Sequence, residues 1–343
     1  MKKTAIVLIV LLLMLCLCGC KAEQKNGVAF IGGPSGIDDR YEVQAVRTAV
    51  KEYCDSKRIP YFEYISDGND GFYDRAVAQA AANCKLVVCD STASAAVSQT
   101  AYEELSFLLV NYSGSVAANA RAISFCEEDA AFMAGYAVAA DGNTKLGFLG
   151  GSDSDINRHY LNGFSQGLEA AAGDSNVELV YYFTGTDEAT DEAQNIARDM
   201  FMSGCDIVFV CGGNIYKSAV QAANVTRKFL VGGEMDQAGE SERFTTTAIK
   251  NYATVFAAEI DGFMENNGWK DGFAASSVVY GYSHGAVGIP TYTGAFRFKN
   301  ITLDDFAAFE ARFSASEFDV KRSTSIPASG QHITVTEYTK KEQ

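Results

Sequence analysis

Leu146-Gly-Phe-Leu-Gly-Gly-Ser-Asp153, running on into an amphipathic stretch over 156–172, spells a strand, a glycine-rich turn and a helix. The apolar run is short, which suits a buried strand flanked by turn residues. The glycines admit a tight turn, and Ser and Asp side chains can cap the helix that follows. The same arrangement recurs along the chain. Strands are expected over 28–32, 61–65, 86–89 and 107–110, then over 146–149, 179–183, 207–211 and 229–231. Helical periodicity fills the intervals, over 41–53, 74–83, 130–140 and 156–172 among others. Strands alternating with helices of this length form parallel βαβ units. The expected fold class is therefore α/β, with two doubly wound parallel-sheet lobes. The two series are nearly equal in length and meet at a seam near 124–128. A further helix over 252–266 and strand over 278–282 lack partners in sequence, so the chain is expected to cross between lobes more than once through a multi-strand hinge. The expected lobes are 27–124 plus about 251–285, and 125–250 plus about 290–343.

Composition narrows the function. The chain has 343 residues, 48% hydrophobic and 21% charged, enough apolar surface to offset its ordering entropy. Its formal charge is −15. That argues against nucleic acid, whose binding needs clustered Lys and Arg, and against a basic membrane-surface helix. Only three histidines occur, at 159, 284 and 332, which leaves little for a histidine-rich metal site. Gly163-Phe-Ser-Gln-Gly167 matches a nucleophile-elbow pattern, but it falls inside an expected helix instead of at a strand-to-helix turn. No Gly-x-Gly-x-x-Gly opens a helix after a strand, and no Walker loop is present. No cofactor, metal or catalytic constellation is expected. A hydrolase built on Asp38, Asp39 and Glu42 is the weakest alternative. Glu127, Glu128 and Asp129 open an expected helix, where acids favour the macrodipole.

The first twenty residues read as an address. Lys2 and Lys3 precede an apolar run over 5–15, and the stretch ends Leu17-Cys-Gly-Cys20. This is the plan of a secretory signal, too short for a comfortable transmembrane span. The ending resembles a bacterial lipobox, which makes 1–19 a lipoprotein signal peptide, Cys20 the lipidated first mature residue and 20–26 a tether. The expected location is the extracytoplasmic face of the cell membrane, held there by lipid. Cys54, Cys84, Cys89, Cys126, Cys205 and Cys211 remain; most adjoin apolar runs, so mostly free, buried thiols are expected.

Doubly wound sheets bind ligands outside the carboxyl ends of their strands. Those ends here are polar and glycine-rich: Gly32-Gly-Pro-Ser-Gly-Ile-Asp-Asp39, Asp90-Ser-Thr92, Asn111-Tyr-Ser113, Gly150-Gly-Ser-Asp153, Gly212-Gly-Asn214 and Gly232-Gly-Glu-Met-Asp-Gln237. Asp39, Ser91, Asn214 and Asp236 from these loops are candidate ligand contacts, with Glu42 and Arg158 at the starts of the helices that follow.

Several stretches in order carry a resemblance: Ile37-Asp-Asp39, Phe125-Cys-Glu-Glu-Asp-Ala-Ala-Phe-Met-Ala-Gly-Tyr136, Leu146-Gly-Phe-Leu-Gly-Gly151 leading to Gly163, Phe164 and Gly167, Gly204-Cys-Asp-Ile-Val-Phe209 with Gly212 and Gly213, Gly232-Gly-Glu-Met-Asp-Gln237, and Ile249-Lys250. Together they resemble the basic membrane protein family of lipoproteins, purine-nucleoside-binding components of ABC importers with a type I periplasmic-binding-protein fold. The resemblance implies that Glu234 falls where the family has an aspartate on ribose hydroxyls, and that Lys250 falls on its lysine. It also implies that Gly212 and Gly213 let backbone approach the ligand. The base-binding corner departs from the family. After Asp39 the family continues with a small residue, a phenylalanine and an asparagine, where this chain reads Arg40-Tyr-Glu-Val-Gln44. Tyr41 stacks on a ring if the register shifts by one. Asp187 stands where the family supplies its other stacking phenylalanine, with Phe183 or Tyr182 as substitutes after a loop shift.

The expected function is a lipid-anchored solute receptor that closes two lobes on a small polar molecule, a nucleoside or related sugar-bearing metabolite. Its expected partners are an ABC permease and its ATPase, and membrane lipid through Cys20. The alternative is a sensor that passes ligand occupancy to a membrane signalling partner.

Overall fold

The computed structural model describes residues 25–34 and 38–340. The signal segment and Cys20 lie outside those residues. Within them the chain builds two sheets. The first holds β1 (Gly27–Gly32), β2 (Tyr61–Ile65), β3 (Cys84–Cys89), β4 (Ser106–Val110), β5 (Ala120–Phe125) and β11 (Ser276–Tyr280), in the order β2-β1-β3-β4-β5-β11. Every pairing in it is parallel. Its helices are α1 (Glu42–Lys57), α2 (Phe72–Asn83), α3 (Ser91–Ala96) and α8 (Tyr252–Glu265).

The second sheet repeats the plan with β6 (Lys145–Gly150), β7 (Val177–Phe183), β8 (Ile207–Cys211), β9 (Phe229–Glu234) and β10 (Phe244–Lys250). Its order is β12-β10-β9-β8-β6-β7-β13, with β12 (Val287–Gly288) antiparallel on one edge and β13 (Ile333–Glu337) parallel on the other. Helices α4 (Glu127–Ala140), α5 (Asp155–Ala171), α6 (Asp191–Met202), α7 (Ile215–Thr226) and α9 (Leu303–Ser314) complete it. Strands β1, β3, β4 and β8 are apolar runs buried almost throughout. That is what a parallel sheet covered on both faces requires.

Strand order reverses between β1 and β3 in one sheet and between β6 and β8 in the other. At such a switch point adjacent loops diverge to opposite faces and leave a crevice. The chain passes from the first sheet to the second between Phe125 and Glu127, returns between Lys250 and Tyr252, and passes over again between Tyr280 and Val287. These three connections form the hinge.

Residues 163–167 lie within α5, so Ser165 sits on a helix and not at a turn. The glycines have a packing reason instead. A Cβ at Gly163 would strike the carbonyl oxygen of Glu128, one at Gly167 that of Phe132, and one at Gly135 that of Phe164. Helices α4 and α5 therefore touch backbone to backbone. The six cysteines of the described residues are all free and buried.

Gly163→Ala should destabilise the protein by about 1–3 kcal/mol through overpacking. Gly262→Ala, on α8 with open space around the new methyl, should be neutral or slightly stabilising. Urea midpoints of the two variants check the contrast, and equal effects would contradict the close contact.

Candidate ligand cleft

The cleft is assembled from the loops at both switch points. After β3, Asp90 is fully buried and accepts from Gly33 N at 2.6 Å and from Ala93 N at 2.8 Å, which ties the β1 loop to the start of α3. The loop then turns at Arg40, whose φ of 56° lies in the left-handed region. This turn lets Asp39 accept from Tyr41 N at 2.9 Å. Glu42 opens α1 and is buried; its Oε1 accepts from Ser91 N at 2.7 Å and its Oε2 from Asn111 Nδ2 at 2.5 Å.

Across the gap, the loops after β6, β7 and β8 converge on Asp187. Its carboxylate accepts from Ser152 N at 2.7 Å and from Ser152 Oγ at 3.1 Å. Gly151, Gly212 and Gly213 leave room for it, since a Cβ at any of the three would collide with Asp187. Gly212 and Gly213 also carry φ of 108° and 51°, which side chains rarely adopt.

The two walls meet. Tyr41 Oη donates to Asn157 Oδ1 of α5 at 2.8 Å, and Asn157 Nδ2 donates to the Ser152 carbonyl at 2.9 Å. At the rim, Arg40 Nη2 donates to the Asp236 carbonyl at 2.6 Å, and its Nε lies 3.1 Å from Glu240. Between the walls remains a cavity of about 230 Å³. Asp39, Tyr41, Glu42 and Ser91 line it from the first lobe; Ser152, Ser154, Asp187, Glu188 and Asn214 line it from the second.

Not every expected residue lines this cavity. Arg158, an expected ligand contact, turns away: it pairs with Asp153 and donates to the Thr324 carbonyl. Its neighbour Asn157, which the sequence reading missed, is the one on the cleft side. Asp236 engages Tyr292 Oη through its side chain and Arg40 through its carbonyl. Gly212 and Gly213 pack beneath Asp187 instead of facing open space. Phe183 packs on Phe148 at 5.9 Å between centroids, and Tyr182 on Tyr338 at 5.7 Å.

Glu234 and Lys250 belong to a sealed cluster at the hinge. Lys250 Nζ lies 2.8 Å from Glu127 Oε1 and 3.0 Å from Glu234 Oε2, with both side chains of the Lys250–Glu234 pair wholly buried. Glu234 also accepts from Tyr160 Oη at 3.2 Å and from Tyr252 Oη. The rings of Phe125, Tyr160 and Tyr252 surround the ammonium at 5.5–6.0 Å. Burial works against the ammonium, but Glu127, Glu234 and Glu42 outweigh it and hold the Lys250 pKa well above its usual value. Glu127 and Glu128 do open α4, yet they do more than face its dipole. Glu128 meets His159 and lies 3.5 Å from Arg322 Nε.

Burial, with the Glu234 and Asp187 charges, pushes the Asp39 carboxyl up to about 6, against the hydrogen bond from Tyr41 N. Burial likewise pushes Glu42 up to about 7, with Lys250 opposing. An acid whose pKa is raised on folding binds protons more tightly in the native state, so stability falls as pH rises through the window between the two pKa values.

A family model described as "ABC transporter substrate-binding protein PnrA-like", Bmp, matches residues 72–310. The chain belongs to the Bmp family. Bmp proteins are solute-binding proteins and not enzymes. The chain is 28% identical over 174 residues, 49% of each protein, to basic membrane protein B of Borrelia garinii subsp. bavariensis. It is 32% identical over 98 residues to the ABC transporter nucleoside-binding protein BmpA of Lactococcus lactis subsp. cremoris, 28% of this chain and 27% of that one. The chain spans about half the length, or less, of these curated relatives. In structure it is similar to an ABC transporter system solute-binding protein from Aeropyrum pernix K1, with a TM-score of 0.69, 14% identity, and coverage of 87% of this chain and 94% of that one. The fold is that of type I periplasmic binding proteins, as the Bmp sequence pattern implied.

Two predictions follow from the charges of this Bmp chain. Lys250→Met leaves Glu127 and Glu234 buried without their cation and should cost about 3–5 kcal/mol in urea unfolding. Between about pH 4 and pH 7 the unliganded protein should lose stability through these two acids, and Asp39→Asn should remove roughly 2 kcal/mol of that loss. Melting temperatures across the range check this; identical slopes for both proteins would contradict it.

Proposed function

We propose that this chain is the lipid-anchored, extracytoplasmic binding component of an ABC importer, closing two lobes on a small polar solute. The supporting observation is the cavity formed at the switch points of two sheets, with Tyr41 on one wall bonded to Asn157 on the other. A site built from two lobes that can part at a hinge admits its ligand when open and buries it when closed. On this reading the lobes comprise 27–124 plus about 251–285, and 125–250 plus about 290–343. Cys20 carries the lipid that holds an acidic protein at the membrane. The Lactococcus relative's name favours a nucleoside or related sugar-bearing metabolite.

The ligand contacts proposed are Asp39, Tyr41, Glu42, Ser91, Asp187 and Asn214 at the cavity. Glu234 and Lys250 shape it from behind, and Arg40 latches its rim. Mass spectrometry of solute released from the purified protein, with titration against a nucleoside panel, tests the reading. A retained small molecule whose rebinding shrinks the particle in small-angle scattering is the expected result. Arg40→Ala should loosen the closed form and weaken that rebinding about three- to tenfold. A protein that retains nothing, binds nothing and never changes shape would overturn the reading.

A further inference from the structure

The charge balance of the cavity is one-sided. Asp39, Glu42, Asp187 and Glu188 line it, and among the described residues no Lys or Arg does. Cations nearby are already committed. Lys250 faces Glu127 and Glu234, Arg40 lies against Glu240, and Arg158 is paired with Asp153.

The carboxylates differ in what they still lack. Glu42 has a donor on each oxygen, and Asp187 has Ser152. Asp39 is only 8% exposed, and its Oδ1 accepts from Tyr41 N. Its Oδ2 takes no hydrogen bond from another described residue, although Asp39 lines the cavity. A carboxylate at this depth with an oxygen still open to the cavity gains from a donor that reaches it there, and a charged donor forms the stronger bond. Tyr41, on the same wall, offers a ring face that also attracts cations. A neutral purine finds less here, since Tyr41 is the sole aromatic side chain among the described lining residues.

We propose that the solute bound in this cleft carries a protonated amine or amidine, which docks on Asp39 beside Tyr41 with Asp187 facing it from the second lobe. This rests on the solute-binding reading above and narrows its substrate class from polar solutes to cationic ones. The raised pKa values of Asp39 and Glu42 agree with it, because burial and the acids Glu234, Asp187 and Asp90 there outweigh Lys250. A cation entering the cavity reverses that imbalance and displaces protons, so binding should release protons below about pH 7.

A matched pair of ligands tests the proposal. The full chain is titrated calorimetrically with adenosine and with 5′-amino-5′-deoxyadenosine, and separately with putrescine, at about pH 7.5 and low salt. The amine should bind at least about tenfold more tightly than adenosine. Asp39→Asn, and independently Asp187→Asn, should bring that ratio within about threefold, with melting curves showing that each variant is folded. Putrescine binding in the absence of adenosine binding would also support the charge requirement. Adenosine binding as tightly as its amine, or a neutral solute recovered from the purified protein, would overturn the cation proposal and leave the receptor reading intact. Failure to bind or retain any small molecule would overturn both.

Discussion

Lys250 and its two carboxylates are what the geometry of the hinge depends on. Glu127 is the first residue of α4, directly after the first crossing between sheets; Lys250 is the last residue of β10, directly before the second; Glu234 ends the neighbouring strand β9 at a φ of 80°. A buried ion cluster of this kind adds little net stability, because desolvation offsets most of the attraction. Separating its members is another matter, since each would then be an uncompensated charge in an apolar setting. The hydroxyls of Tyr160 and Tyr252 complete the coordination of Glu234, and three aromatic rings close the ammonium off. Two strand ends and a helix start are thereby fixed to one another. The loops that form the cleft inherit that registration.

Charge committed at the hinge is charge withheld from the cavity. In a site where a free lysine faced the ligand, the carboxylates opposite could be balanced internally. Here the lysine is shared between two acids, with Glu42 a third within its field. The cavity walls are left with carboxylates whose partners are neutral: backbone amides, a serine, an asparagine. Hydrogen bonds orient such groups but do not neutralise them. Protons do so partially, which is the physical content of the raised pKa values at Asp39 and Glu42.

Much of the architecture was legible because parallel strands buried on both faces are written as unbroken apolar runs. Most of the strands that escaped notice carry charge or hydroxyls inside the sheet. β5 contains Arg121, buried because Glu259 of α8 lies 2.7 Å away, a partner far off in sequence. β10 reads Phe-Thr-Thr-Thr-Ala-Ile-Lys and ends on the hinge lysine. β13 closes a sheet edge from the end of the chain, where local pattern says nothing about pairing. In the cleft, loop composition located the right strand ends but could not set helix phase. Asn157 and Arg158 are adjacent, yet consecutive residues of a helix point about 100° apart. Asn157 reaches Tyr41, whereas Arg158 reaches the C-terminal segment. Glu234 illustrates a different limit: its place in the loop was readable, but its engagement by two tyrosines and a lysine was not.

The C-terminal segment shows how hinge and cleft are joined on the second lobe's outer side. Asn162 donates to the carbonyls of Ser323 and Ser325, Gln166 to that of Lys321, and Arg158 to that of Thr324. All three donors lie on α5, the helix whose first turn supplies Asn157 to the cleft. Arg322 then reaches back to the Phe125 carbonyl at 3.2 Å and to the Glu128 carboxylate, at the first crossing itself. A strap anchored along α5 and at the crossing constrains the angle between them. Because α5 also rests on α4 through glycines with no room to slide, α5 moves with the hinge or not at all. The Tyr41–Asn157 contact across the cleft is therefore set by rigid parts, and on the proposed reading the motion left to them is rotation of one lobe against the other.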